Sequence, residues 1–303
     1  MPHDRILLAV TLRLSSVMLF VLMNVCIKLA TEGGAHLAEI LFWRQAGAAL
    51  LVTGVIVAGP GLRSVATTRF GAHVMRCAVG LTSMAFLFHT MTVLPLAEAT
   101  TIGFSMPIFA TVLGALILKE PTGWRRWGAV VLGFGGVLIV AQPGSDGGHI
   151  PLAGATTGLV AAFLTAVVTI LLRTIGRTER PLTTVFWFSV LSLGPLGIAY
   201  ALAAQAHTPW MWLVLLSCGL FGGVAQIAMT TSLAYGPVST VVPMDYTSLL
   251  WATLFGWAVF GILPAEATWI GAPVIVASGL YIVWREHVRR REETTQVSAQ
   301  GIG

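Results

Sequence analysis

One acid lies deep inside an otherwise apolar run: Asp245, in VSTVVPMDYTSLLWATLFGW. It stands about eight residues into the run, roughly 12 Å along a helix rising 1.5 Å per residue. A charge at that depth costs at least ~2.5–3.5 kcal/mol on insertion scales, so it is a functional candidate by default. Two chemistries suit it: a carboxylate that couples a proton, and an anchor for the ammonium group of a solute. A third reading is an acid satisfied by backbone N–H groups at a helix start opened by Pro243. Glu98, just after Pro95, either complements the dipole of its own helix or faces a solute. Lys28 and Arg44 can face a solute, pair with Glu32 or Glu39, or snorkel to the surface. Asn24, the sole asparagine, and Gln226 each need a neighbouring helix or a solute for their amides. His89 either titrates near neutral pH or bonds to a neighbouring helix as a neutral ring.

Such residues stand out because charge is scarce. Of 303 residues, 56% are hydrophobic and 10% charged, and the mean hydropathy is +0.86. A soluble domain carries about 25% charged residues. Disorder requires low hydrophobicity and high charge. No polar stretch is long enough to form a domain beside a single anchor. The apolar runs also exceed the roughly ten-residue alternating strands of a membrane barrel. What remains is an all-α polytopic membrane protein. Cys26, Cys77 and Cys218 have no metal-ligand spacing and read as small packed side chains, so neither metal nor cofactor is expected. The N-terminal apolar stretch runs past Ser15 and Ser16 to Ala30, which reads as a first span rather than a signal peptide.

Charge clusters and Gly/Pro turns cut the chain into ten expected spans. They cover 6–30, 37–58, 70–93, 96–118, 124–141, 152–173, 182–204, 210–232, 238–260 and 266–284. With both termini placed in the cytoplasm, 17 Lys and Arg sort cleanly: all but Lys28 and Arg44 fall on the inner side. Basic cytoplasmic loops then explain the pI of about 9.6, and no nucleic-acid partner is implied. The tail REHVRRREE reads as an orientation signal at the lipid surface. Trp124, Trp127, Trp210, Trp212, Trp269 and Trp284 fall at span ends and read as an interfacial belt. The glycines of span five (128, 133, 135, 136) and of span ten (271, 279) suggest close helix packing.

The halves repeat. At an offset of 142, Pro95 meets Pro237, Ser105 meets Thr247, Ala110-Thr111 meets Ala252-Thr253, and Trp127 meets Trp269. Five spans per half is an odd number, so the second copy enters the membrane inverted, as in many transporters. Residues 1–143 form the first repeat, 144–150 a polar periplasmic linker, 151–285 the second repeat and 286–303 a cytoplasmic tail. The stretches LPLAEATTIGFSMPIFATVLGALILKEP and GGVAQIAMTTSLAYGPVSTVVPMDYTSLLWATLFGWAVFG resemble the EamA family of the drug/metabolite transporter superfamily. Glu120 fills the acidic position after span four, whereas the equivalent after span nine is Ile262. The resemblance implies a secondary transporter of the bacterial inner membrane working by alternating access. It implies export of amino acids or related metabolites, with YddG-type amino-acid exporters as one subgroup. It also implies that spans one, three, four, six, eight and nine line a cavity. That makes Phe86, Phe163, Tyr246 and Trp251 candidate walls.

Rival functions lack their residues. There is no phosphate-binding G-x-x-x-x-G-K-[ST] loop, no H-E-x-x-H, no G-x-S-x-G, no second intramembrane aspartate and no K⁺-type filter. Efflux of hydrophobic cations is the alternative among transporters, since Asp245 and the aromatics suit it as well. A membrane-embedded enzyme or a passive channel is more remote. A small-molecule solute and the bilayer are the expected partners, and nothing in the sequence specifies a homo-oligomer.

Overall fold

The computed structural model describes residues 6–117, 124–141, 151–176, 178–235 and 242–300. Among these there is no strand. The helices are α1 (Ile6–Glu32), α2 (Leu37–Ala58), α3 (Phe70–Val93), α4 (Leu96–Gly103), α5 (Met106–Ile117) and α6 (Trp124–Ala141). They continue with α7 (Leu152–Ile175), α8 (Pro181–Ala203), α9 (Pro209–Tyr235), α10 (Thr247–Phe260) and α11 (Glu266–Gln300). Two 3₁₀ turns, Leu62–Val65 and Val242–Tyr246, precede α3 and α10. In lipid every backbone polar group must be satisfied within its own segment, and this dictates helix for such apolar runs.

Seven elements are long and apolar enough to cross a membrane: α1, α2, α3, the α4–α5 unit, α7, α8 and α9. The sequence leads to an expectation of ten spans. Among the described residues, α6 and the apolar part of α11 are shorter, and α10 has 14 residues. Lys119-Glu120-Pro121, the linker 144–150 and Gly236-Pro237 lie outside the described residues. The last helix runs on to Gln300 instead of stopping near 284, because Arg, Glu and Gln are good helix formers.

Two expected spans are broken. The fourth is interrupted between α4 and α5, where Pro107 lacks an N–H and its ring meets the carbonyl four residues back, at Gly103. The ninth, described from Val242, runs through a 3₁₀ turn containing Pro243 and becomes α-helical at Thr247.

Helices from before the 142–150 segment pack against helices from after it. α1 runs along α9, α3 along α7, α6 along α11, and α2 along both α8 and α9. The two halves therefore interlock, and the main core cluster draws Ile27, Ile40, Phe88 and Ile102 together with Leu215 and Ile275. Small residues permit the closest approaches. A Cβ on Gly47 of α2 would sit 2.6 Å from the Gly219 backbone of α9, and one on Gly271 would sit 2.7 Å from the Gly136 carbonyl oxygen. Gly128 and Gly135 face open space instead.

Hydrogen bonds collect the loops on two opposite faces. On the upper face Glu39 of α2 accepts from Gln205 N at 3.0 Å and meets His207 Nε2 at 2.9 Å, in the α8–α9 connection. On the lower face Trp187 Nε1 donates to Val65 O at 2.8 Å, and Thr67 Oγ1 donates to Glu179 Oε1 at 2.7 Å. Trp124, Trp127, Trp210, Trp269 and Trp284 are exposed as a belt requires. Trp212 is not part of it: its ring packs edge-on against Trp43, 5.3 Å between centroids.

Candidate functional site

The helix breaks bring two equivalent residues into contact. At the repeat offset of 142, Phe104 corresponds to Tyr246, and each sits at the break of its own half. Their rings lie 4.9 Å apart at 57°. The Tyr246 hydroxyl is buried without a hydrogen-bond partner. It points at α11, where a Cβ on Gly279 would stand 1.8 Å from it. Only glycine leaves room for the phenol there. Trp251, one turn into α10, stacks with Phe255 at 6.0 Å.

Beside Tyr246, Asp245 is not a lone acid. Arg13 of α1 grips it with a planar fork: Nε donates to Oδ1 at 2.6 Å and Nη2 to Oδ2 at 2.5 Å. The Arg13 side chain is 8% exposed and that of Asp245 39%, so the carboxylate keeps an accessible edge while its cation does not. The fork takes one lone pair on each carboxylate oxygen, so a solute ammonium can meet the acid only alongside Arg13, and full release of the carboxylate requires the pair to open. Sequence reasoning had counted Arg13 among inner-surface cations. It lies instead about two turns into α1, some 10 Å above the helix start, and is buried because a counter-ion meets it there.

Asn24 is 11 residues beyond Arg13, three helical turns, and so shares its face of α1. Its Oδ1 is buried with no partner. Gln226 is half-buried on α9, beside the point where Ser16 Oγ donates to Ala225 O at 2.8 Å and pins α9 to α1. Among the described residues its side-chain amide makes no hydrogen bond.

The other expected site residues are dispersed. Lys28 neither snorkels nor pairs with Glu32 or Glu39. It is 8% exposed, donates to Leu94 O at 3.2 Å and lies 5.5 Å from the centre of the Phe260 ring. There it caps the carbonyl end of α3, where a cation is favoured. Glu98 is 2% exposed and serves a helix other than its own. Its Oε1 accepts from Ala265 N at 2.8 Å and from Thr268 Oγ1 at 3.4 Å, at the start of α11. His89 is exposed on α3 rather than buried against a neighbour. Phe86 is half-buried on the same helix. Phe163 is 40% exposed and meets Phe109 edge-on at 5.7 Å.

One further charge, Arg76, escapes the sequence, and Arg44 is one that the sequence already offers as facing a solute. Arg44 and Arg76 are 6% and 7% exposed; Arg76 lies on the Phe188 ring of α8, and Arg44 packs beside Gly222 of α9. Arg76 had been assigned to the inner surface from its position near the start of span three. Among the described residues no group of His, Cys, Asp and Glu could hold a metal. A groove of about 360 Å³ between α10 and α11 is walled by apolar side chains such as Leu250, Trp257 and Leu263, and contains none of the expected site residues.

The EamA-like transporter family matches the chain twice, over residues 7–142 and 152–284. A riboflavin transporter of Vibrio cholerae is 29% identical, over 77% of this chain and 78% of that protein. One from Rhizobium johnstonii is 31% identical, over 84% and 83%. An S-adenosylmethionine uptake transporter of Rickettsia prowazekii is 22% identical, over 83% and 84%. A solved crystal structure shares the fold, with a TM-score of 0.64 at 15% identity over 91% of this chain and 96% of the other.

Proposed function

We start from the fact that the chain belongs to the EamA-like transporter family, and we propose that its cargo is riboflavin or another aromatic heterocycle of that size. The family makes it a multi-pass plasma-membrane transporter of small metabolites rather than an enzyme. The observation that carries the flavin reading is the similarity to two riboflavin transporters over more than three quarters of this chain. The break region supports it. Phe104, Tyr246 and Trp251 gather aromatic rings suited to a flat cargo, and the unpartnered Asn24 Oδ1 is an acceptor for the imide N–H of a flavin. A neutral cargo needs no free carboxylate, and Arg13 holds both oxygens of Asp245.

In the proposed mechanism the two halves are inverted repeats that open alternately. The paired breaks at Phe104 and Tyr246 absorb the movement, and the Arg13–Asp245 pair closes the lower side until it separates. Uptake is the proposed direction, supported by the name of the Rickettsia relative.

Counterflow in proteoliposomes tests this. Internal riboflavin should accelerate saturable entry of labelled riboflavin, while a panel of amino acids gives no exchange. Exchange of amino acids without flavin exchange would sink the flavin cargo and restore the amino-acid exporter expected from the resemblance. Resistance to dye cations would instead favour drug efflux.

A further inference from the structure

Arg44 on α2 and Arg76 on α3 are both more than nine-tenths buried, and neither meets a carboxylate among the described residues. Arg44 Nη1 donates to Gln45 Oε1, and its Nε has no partner. Arg76 lays its guanidinium on the Phe188 ring, 3.6 Å from the centroid, and its Nε and Nη1 have none. Gln45 links Arg44 to the turn of α8 that Arg76 covers, while the Arg44 stem packs beside Gly222 of α9. Gln45 Nε2 donates to Ser192 Oγ at 3.2 Å, Cys77 Sγ lies 3.5 Å from the same oxygen, and Phe188 is one turn before it. The two like charges are near enough to act on each other.

Candidate counter-ions are engaged elsewhere. Glu39 holds the α8–α9 connection, Glu98 the start of α11, Asp245 Arg13, and Glu179 Thr67. Two buried cations side by side, with unused N–H groups and no anion, are unfavourable in a low-dielectric interior. Guanidinium forks match the planar or tetrahedral oxygens of carboxylates and phosphates. Gln45 and Ser192 add neutral polar groups, and the Phe188 ring gives an apolar wall.

We infer that Arg44 and Arg76 together bind the anionic oxygen group, carboxylate or phosphate, of a transported solute. The inference rests on the transporter reading and extends the cargo to anionic metabolites. The site is occluded in this conformation, so loading requires α2, α3 and α8 to part.

Thermal unfolding of the full chain in phosphatidylcholine nanodiscs tests it, with no anionic lipid to supply the group. Sodium phosphate and sodium acetate are each compared with sodium chloride at equal ionic strength. At least one should raise the Tm of the wild type, in proportion to the logarithm of its concentration above Kd. Which of them does so separates a phosphate from a carboxylate. In Arg44→Gln and Arg76→Gln the apparent affinity for that anion should fall about tenfold or more, with partial rescue in the Lys variants. A wild type indifferent to both anions overturns the inference without recourse to the variants, as does equal affinity in wild type and variants. Riboflavin exchange with no anion effect removes this site and leaves the flavin cargo standing. An anion effect without flavin exchange does the reverse.

Discussion

Arg13 and Arg44 are the same residue type with the same 6% exposure, yet they sit in opposite electrostatic situations. Arg13 is neutralised inside the chain by Asp245, from a helix 232 residues away. Arg44, with Arg76 beside it, is neutralised by nothing among the described residues. Burial therefore does not tell what a membrane arginine is for. The counter-ion does: a cation paired within the fold ties two helices together, and a cation left unpaired is available to something that comes and goes.

Four substitutions break or sharpen that contrast, and thermal unfolding of purified protein reads each. Arg13→Gln should have the largest effect, because it leaves Asp245 without its cation. We expect a loss of ~3 kcal/mol, at the lower end of the range for a broken buried pair because the acid is 39% exposed. The double variant Arg13→Leu with Asp245→Leu should recover most of it, and failure to recover would mean the pair contributes more than mutual neutralisation. Glu98→Ala comes next. It strips Ala265 N and Thr268 Oγ1 of their acceptor, and a loss of about 1–3 kcal/mol is expected. Arg76→Gln, measured without added anions, should cost less than ~1 kcal/mol, since it removes an unneutralised charge. A loss as large as that of Arg13→Gln would erase the distinction between the two kinds of arginine. His89→Ala should change stability by no more than about 0.5 kcal/mol, as expected for an exposed side chain with no bonding partner.

Most helix limits were legible because punctuation marks them. Gly59-Pro60-Gly61 closes α2 and Leu94-Pro95 separates α3 from α4, and both fall where the turn chemistry requires. The break in span four was less visible, since an apolar run reads the same whether one helix or two fill it. The only signal was Pro107, nine residues after Glu98 and well inside the run. Asp245 could be found by depth alone, but its partner could not. Arg13 lies near a helix start, where hydropathy and charge counting treat any cation as an orientation marker. Arg76 was hidden for the same reason. Glu98 reads as a complement to its own helix or a contact for a solute because sequence distance conceals the start of α11, which folding brings to it.

Glu98 also ties down one end of the interrupted fourth crossing. α4 is eight residues long, and its first turn is fastened to the start of α11 through that carboxylate. It is a clamped stub. α5 lies beyond the Pro107 break, with Ile108 in a core cluster beside Ala129 and Val130 of α6. The two parts of the fourth crossing therefore answer to different anchors: α4 to the start of α11 through a carboxylate, and α5 to α6 and α7 through the rings of Phe134 and Phe163.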